Sequence, residues 1–189
     1  MARAAAWRMN VIKASTSSST TREATVVKVI SGRLAGEPAP AVIARRIIDS
    51  SRYLTLATAD GAGRPWASPV WYAHEDYASF LWVSRAGARH SRNIAARATV
   101  SAVIFDSTVP EAEAQGVYFE ALAEELSGAE RDRAIAIFSR RSQALGLSEW
   151  RTADVIAPAP HRLYRARASA CFILAPRDQR LPVKIDEHE

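Results

Sequence analysis

Phe80-Leu81-Trp82-Val83-Ser84 leads directly into Arg85-Ala86-Gly87-Ala88-Arg89-His90-Ser91-Arg92-Asn93-Ile94, and the two runs differ sharply in character. The first is rich in residues that suit a pleated, buried strand. The second is a basic loop that opens a short helix. A helix start presents free backbone N–H groups and the positive end of a dipole, which together attract a phosphate. Arginine adds a planar fork that matches two phosphate oxygens. A serine hydroxyl adds a further donor. The residues alone therefore allow two readings, a phosphate site or a solvated basic helix start.

Outward from this segment the chain alternates strands and turns. Upstream, Trp66 to Ala73 reads as a strand. Its Pro69 cannot donate a ladder hydrogen bond, so an edge or a bulge is expected there. Asp60-Gly61-Ala62-Gly63 is a turn, and Tyr53 to Thr58 is the strand before it. Ala41 to Ser50 carries Val42, Ile43, Ile47 and Ile48 at helical spacing. His74-Glu75-Asp76 is expected to turn the chain. Downstream, Thr99 to Phe105 and Val117 to Leu126 read as strands. Ser127-Gly128-Ala129-Glu130 has the form of a capping box, opening a helix to about Arg141. A helical turn is expected near Trp150. Arg162 to Leu174 closes the domain as a strand interrupted near Ser169. The order predicts an α+β fold, a mainly antiparallel six-stranded split β-barrel with flanking helices.

Composition narrows the function classes. The chain has 189 residues, 25 basic and 20 acidic, for a net charge of +5. Six of the basic residues and two of the acidic ones fall in residues 1–40, so the body from 41 to 189 carries a net +1. A near-neutral body lacks the broad positive field that nucleic-acid binding requires. No apolar run approaches the roughly 20 residues that span a bilayer, so no membrane role is expected. The single cysteine, Cys171, forbids an internal disulfide and fits a cytoplasmic location. It lies in an apolar strand and is expected to be a buried, inert thiol. Residues 1–40 read as a basic, Ser/Thr-rich disordered extension with a short strand at Val26 to Ile30. An organelle transit peptide or an upstream start codon are the alternatives. The four histidines are scattered in sequence, so no metal site is expected. His74 is expected to be solvated in its turn, and Glu111 to Glu113 to form a solvated loop.

Gly63-Arg64-Pro65-Trp66-Ala67-Ser68-Pro69-Val70-Trp71, followed after a spacer by Phe80 to Ser84 and the basic loop, resembles the FMN-binding split-barrel family related to pyridoxamine 5′-phosphate oxidase. The resemblance runs from about Ala41 to Asp186 and is strongest over Tyr53 to Asp106. It implies that Ser68, Pro69, Val70 and Trp71 lie along the isoalloxazine ring and ribityl chain. It implies that Val83 and Ser84 meet the flavin or its phosphate, and that Arg89 and His90 stand where the oxidase grips the phosphate with an Arg-Lys pair. A homodimer with the cofactor at its interface is also implied. Of the tryptophans, Trp71 adjoins the flavin-lining strand and is the candidate for cofactor contact.

Several positions depart from the oxidase pattern. Ser68 replaces a flavin-phosphate arginine, His90 a lysine, Gly116 a flavin-contacting glutamine and Ala73 the substrate-phosphate lysine. The closing Arg-Leu-His-Asp-Arg signature survives only as Arg162-Leu163-Tyr164-Arg165. These changes argue against pyridoxamine phosphate as substrate. The leading expectation is an FMN-dependent oxidoreductase acting on another small molecule, with no residue standing out as its acid or base. An F420-dependent reductase of the same fold is the alternative, which Arg85, Arg89 and Arg92 leave open. A non-catalytic flavin or haem carrier is a third, with His90 or His161 as axial ligand.

Overall fold

The computed structural model describes residues 38–110, 114–175 and 179–185. The strand expected at Val26 to Ile30 and the loop at Glu111 to Glu113 lie outside them. Helix α1 (Pro40–Ser50) opens on a proline, whose missing N–H costs nothing in a first turn. Its Ala44, Ile47 and Ile48 are buried, at the spacing of one helical face. Strands β1 (Tyr53–Ala59), β2 (Pro65–Trp71), β3 (Ala73–Glu75) and β4 (Ser79–Arg85) follow. Helix α2 (Arg89–Ala96) leads to β5 (Thr99–Phe105) and β6 (Gly116–Glu125). Helix α3 (Gly128–Ala144), a single 3-10 turn at Thr152–Val155, β7 (His161–Ala175) and β8 (Gln179–Pro182) complete the order.

One antiparallel sheet holds all the strands, in the order β2-β1-β5-β6-β7-β4-β3, with β8 beside β7. The six expected strands are present. The other two, β3 and β8, are three and four residues long. Strand β2 ends the path, so Pro69 sits on an edge as its missing donor requires. No ladder joins β2 to β4, and the barrel is split there.

Strand β4 is buried on both faces, which explains its unbroken apolar run. Phe80 and Trp82 point into the barrel with Leu54, Leu56, Val70 and Phe119. Leu81 and Val83 point the other way, onto a second core with Ile135 and Phe138 of α3. Strand β7 runs unbroken, and the interruption expected near Ser169 is a bulge opposite Glu120 and Ala121.

Two local expectations are corrected. The turn after β3 comes later than expected: His74 and Glu75 remain in the strand, and Asp76 and Tyr77 take φ of 49° and 56°. Two positive φ values are what a tight hairpin needs to match strand twist. His74 is accordingly not solvated: its Nε2 lies 3.0 Å from Asp49 Oδ1 and its ring stacks on Tyr77. The capping box at Ser127 also fails to form. Ser127 occupies the cap position of α3 but makes no side-chain cap bond. Gly128 takes φ +57°, so the backbone leaves Ser127 by another path. Glu130 instead accepts from Arg165, which is 3% exposed and also donates to Glu124 at 2.6 Å. Ser127→Ala is therefore expected to cost under about 0.5 kcal/mol in a urea melt, against about 1 kcal/mol for a working cap. A full cap-sized loss restores the capping box.

Candidate functional site

The site lies where the barrel is split. Alternation along β2 puts Trp66, Ser68 and Val70 on the inward side and Pro69 and Trp71 on the other. On β4 the same alternation aligns Ser84 with Phe80 and Trp82. Helix α2 stands over the gap. Its His90 Nδ1 lies 3.2 Å from Ser68 Oγ, and its Nε2 lies 2.8 Å from Ser84 Oγ. One imidazole thus bridges the two strands that no ladder joins. Burial holds the His90 pKa below its ordinary value. The ring is therefore neutral at pH 7, one nitrogen donating and the other accepting.

Helix α2 is fixed by its buried face. Asn93 Nδ2 donates to Thr58 Oγ1 at 3.0 Å, and Thr58 Oγ1 donates to the Trp66 carbonyl at 3.2 Å. Ser91 Oγ donates to the Arg85 carbonyl at 2.9 Å. Asn93 and Ser91 are 4% and 3% exposed, so these bonds replace water that cannot reach them. Sequence reasoning missed Asn93 and Thr58. The available signal was the helical spacing of His90, Asn93 and Ile94, which places all three on one face.

The outer side of α2 is cationic. The Arg89 guanidinium lies 4.4 Å above the centre of the Trp66 ring. Among the described residues Arg89 makes no ion pair. Arg92 turns back to donate to the Gly87 carbonyl. The cap residue of α2, Ala88, has no side-chain oxygen, and no side chain caps the first amides. Unmet N–H groups beside Arg89 and the serine hydroxyl that the neutral His90 ring leaves free fit a phosphate group.

The structure thus brings together Ser68, Ser84, Arg89 and His90 of the expected site residues. Val70 is part of the barrel core, and Val83 packs against the second core. Pro69 is exposed on the far face of β2. Trp71 packs edge-on against Phe138, with ring centres 4.7 Å apart. His161 packs edge-on against Trp150 at the start of β7.

The sequence pattern of the pyridoxamine 5′-phosphate oxidase family matches residues 43–174. The chain belongs to that family. No curated protein sequence matches it. Solved structures of the same fold include the haem-binding protein of Mycobacterium smegmatis, at 22% identity and TM-score 0.63, covering 79% of this chain and 60% of that one. The chain thus spans less than two thirds of that protein. The haem storage protein of Vibrio cholerae aligns at 22% identity and TM-score 0.56, over 68% of this chain and 90% of its own. An F420 reductase aligns at 18% identity and TM-score 0.52, over 71% and 98% respectively. At these identities the likeness is one of fold.

Against the oxidase pattern within the family, the departures have structural consequences. Ala73, at the position of the substrate-phosphate lysine, is 1% exposed and belongs to the second core. Tyr164, in the closing signature, is 2% exposed with its ring stacked on Trp82 at 5.7 Å. Gly116 has Tyr118 beside it: a Cβ there would stand 3.4 Å from the ring and hydroxyl. A glutamine there would begin its side chain in contact with Tyr118. Ser68 and His90, which replace two cations, are hydrogen-bonded to each other, so the two changes form one unit.

Cys171 is half-buried, and burial pushes its thiol up to about 12. At pH 8 roughly one thiol in ten thousand is then ionised. Ellman's reagent is expected to label the folded chain at least a hundredfold more slowly than the unfolded chain, by about the ratio of thiolate fractions. Equal rates mean that the strand around Cys171 opens readily. Among the described residues, no group of three or more His, Cys, Asp or Glu side chains could hold a metal ion. No described helix is long and apolar enough to cross a membrane.

Proposed function

We propose that this chain is an FMN-binding flavoprotein, an oxidoreductase acting on a small molecule other than pyridoxamine phosphate. The observation that carries the proposal is the cluster at the split of the barrel. The uncapped start of α2, Arg89 and the Ser68–His90–Ser84 bridge lie together there and offer donors suited to the flavin phosphate. Bound FMN supplies two-electron redox chemistry at its ring. The chain's part is to grip the phosphate through Arg89 and the α2 amides, and to line the ring with the backbone of β2 from Ser68 to Trp71, since Pro69, Trp71 and Val83 turn their side chains away from the split. The burial of Ala73 and Tyr164 is what argues against the oxidase's own substrate.

A homodimer completes the proposal. Tyr53, Phe105 and Leu122 are 58%, 50% and 58% exposed and share the outer face of β1, β5 and β6. A groove of about 460 Å3 crosses that face, with Ala57, Val103, Tyr118 and Phe172 in its lining. An apolar sheet face of this kind is suited to a second copy.

The absorption spectrum of the purified chain tests the cofactor. Flavin bands, with FMN released on heating, support the proposal. A colourless protein that titrated FMN does not colour overturns it. Binding of F420 instead selects the deazaflavin alternative, for which Arg85 and Arg89 remain as outward cations. A Soret band selects a haem carrier.

A further inference from the structure

The proton on His90 controls how many donors the split of the barrel can offer. In the neutral ring, one nitrogen donates to one serine, whose own O–H is left free. The other nitrogen accepts, and that bond uses up the second serine's O–H. Protonated, the ring donates through both nitrogens, and both hydroxyls turn free. One proton therefore adds one positive charge and one hydroxyl donor beside Arg89.

Groups that could oppose or replace this effect are accounted for element by element. Strand β2 carries no titratable side chain, and the Arg64 that precedes it is paired with Asp60 at 2.7 Å. Strand β1 carries only Tyr53, on the outer face. Strand β4 contributes Arg85, opposite His161 of β7, and Ser84 lies opposite Arg162, while the Tyr164 hydroxyl of β7 interacts with Ser91 of α2 and with Glu125, and burial raises its pKa so that it stays neutral. Of the β6 carboxylates, Glu124 and Glu125 are held by Arg165 and Arg162, and Glu120 with Tyr118 lies on the outer face. Helix α2 itself adds Arg89 and Arg92. His90 thus has cations and no unengaged carboxylate around it, and burial alone lowers its pKa.

We propose that the Ser68–His90–Ser84 bridge is a proton-coupled anion latch, neutral when empty and protonated when a phosphate monoester sits against Arg89. The proposal rests on the phosphate placement given above. It replaces a permanent second cation with a conditional one, so phosphate binding takes up a proton. By linkage, the anion raises the His90 pKa as much as protonation tightens the anion.

The test is an NMR titration of the His90 imidazole in the full chain, alone, with inorganic phosphate and with FMN. The His90→Gln variant assigns the signal. The expected result is a His90 pKa raised by about one unit or more, a tenfold coupling. A His90 pKa unmoved by inorganic phosphate and by bound FMN overturns the latch. The two proposals separate cleanly. A shift with phosphate but no FMN binding keeps the latch and removes the flavin. FMN binding without a shift does the reverse.

Affinity gives a second readout. Between about pH 8 and about pH 5, the ratio of the His90→Gln dissociation constant for FMN to that of the natural chain is expected to rise about tenfold. The second proton of free FMN's phosphate, with pKa about 6, is the same for both proteins and cancels in the ratio. Riboflavin, which lacks the phosphate, is expected to show no such change. A flat ratio for FMN overturns the latch. If His90→Gln does not fold, the titration of the natural chain decides alone.

Discussion

Replacing Arg89 with alanine is expected to weaken FMN binding at least tenfold, or roughly 1.4 kcal/mol or more. Arg89 is the first residue of α2 and is exposed, and its guanidinium rests on the face of Trp66. That contact holds the fork in place without consuming its N–H donors, so they stay available for phosphate oxygens. A charge-assisted hydrogen bond contributes about 1.5–3 kcal/mol, and Arg89 can make two. The effect on folding is expected to stay within about 1 kcal/mol, the scale of an exposed cation–π contact. Flavin fluorescence titration measures the first quantity and a urea melt the second. Unchanged affinity removes the phosphate from the start of α2. A loss matched by unfolding shows that Arg89 acts through stability instead.

Trp82→Ala is expected to have the largest effect on stability, about 3–5 kcal/mol. The ring is fully buried inside the barrel and stacks on Tyr164. Alanine leaves a cavity that the two-sided packing of β4 cannot close. Trp82→Phe is a sharper probe. The Trp82 indole N–H is buried with no acceptor among the described residues. An unmet buried donor costs about 1–3 kcal/mol, and phenylalanine removes it. Trp82→Phe is therefore expected to cost under about 1.5 kcal/mol, as for a swap that nearly keeps the volume. Denaturant midpoints at constant slope measure both variants. A cost under about 1 kcal/mol for alanine shows that the barrel collapses around the gap. A cost for phenylalanine as large as that for alanine shows that the indole N–H has a partner after all.

Strand existence was legible because the local code is unambiguous here. Thr99 to Phe105 was read to the residue, and Pro69 announced its edge through its missing donor. Two errors have separate causes. At Ser127 a correct motif lost its partner to a remote pair: Glu130 went to Arg165, some 35 positions away in sequence. At His74 the turn moved because the hairpin needed two positive φ values, one at Asp76, which tolerates it, and one at Tyr77, which does not advertise it. Of the site, the Ser84 to Asn93 loop was legible as an anion-binding helix start. The Asn93–Thr58 tie was not, since its two residues meet only when α2 folds back over β1.

The sequence by itself determined where the six main strands lie along the chain and the chemistry available at the start of α2. These depend on periodicity, turn residues and charge, which act over a few neighbours. The tertiary structure alone decided that Ser68, Ser84 and His90 meet, that Trp71 turns to the second core, and that Ala73 and Tyr164 are buried. Those outcomes depend on which strands the sheet leaves unpaired and which helix covers the gap. Side chains 22 residues apart then share a hydrogen bond that no local pattern encodes.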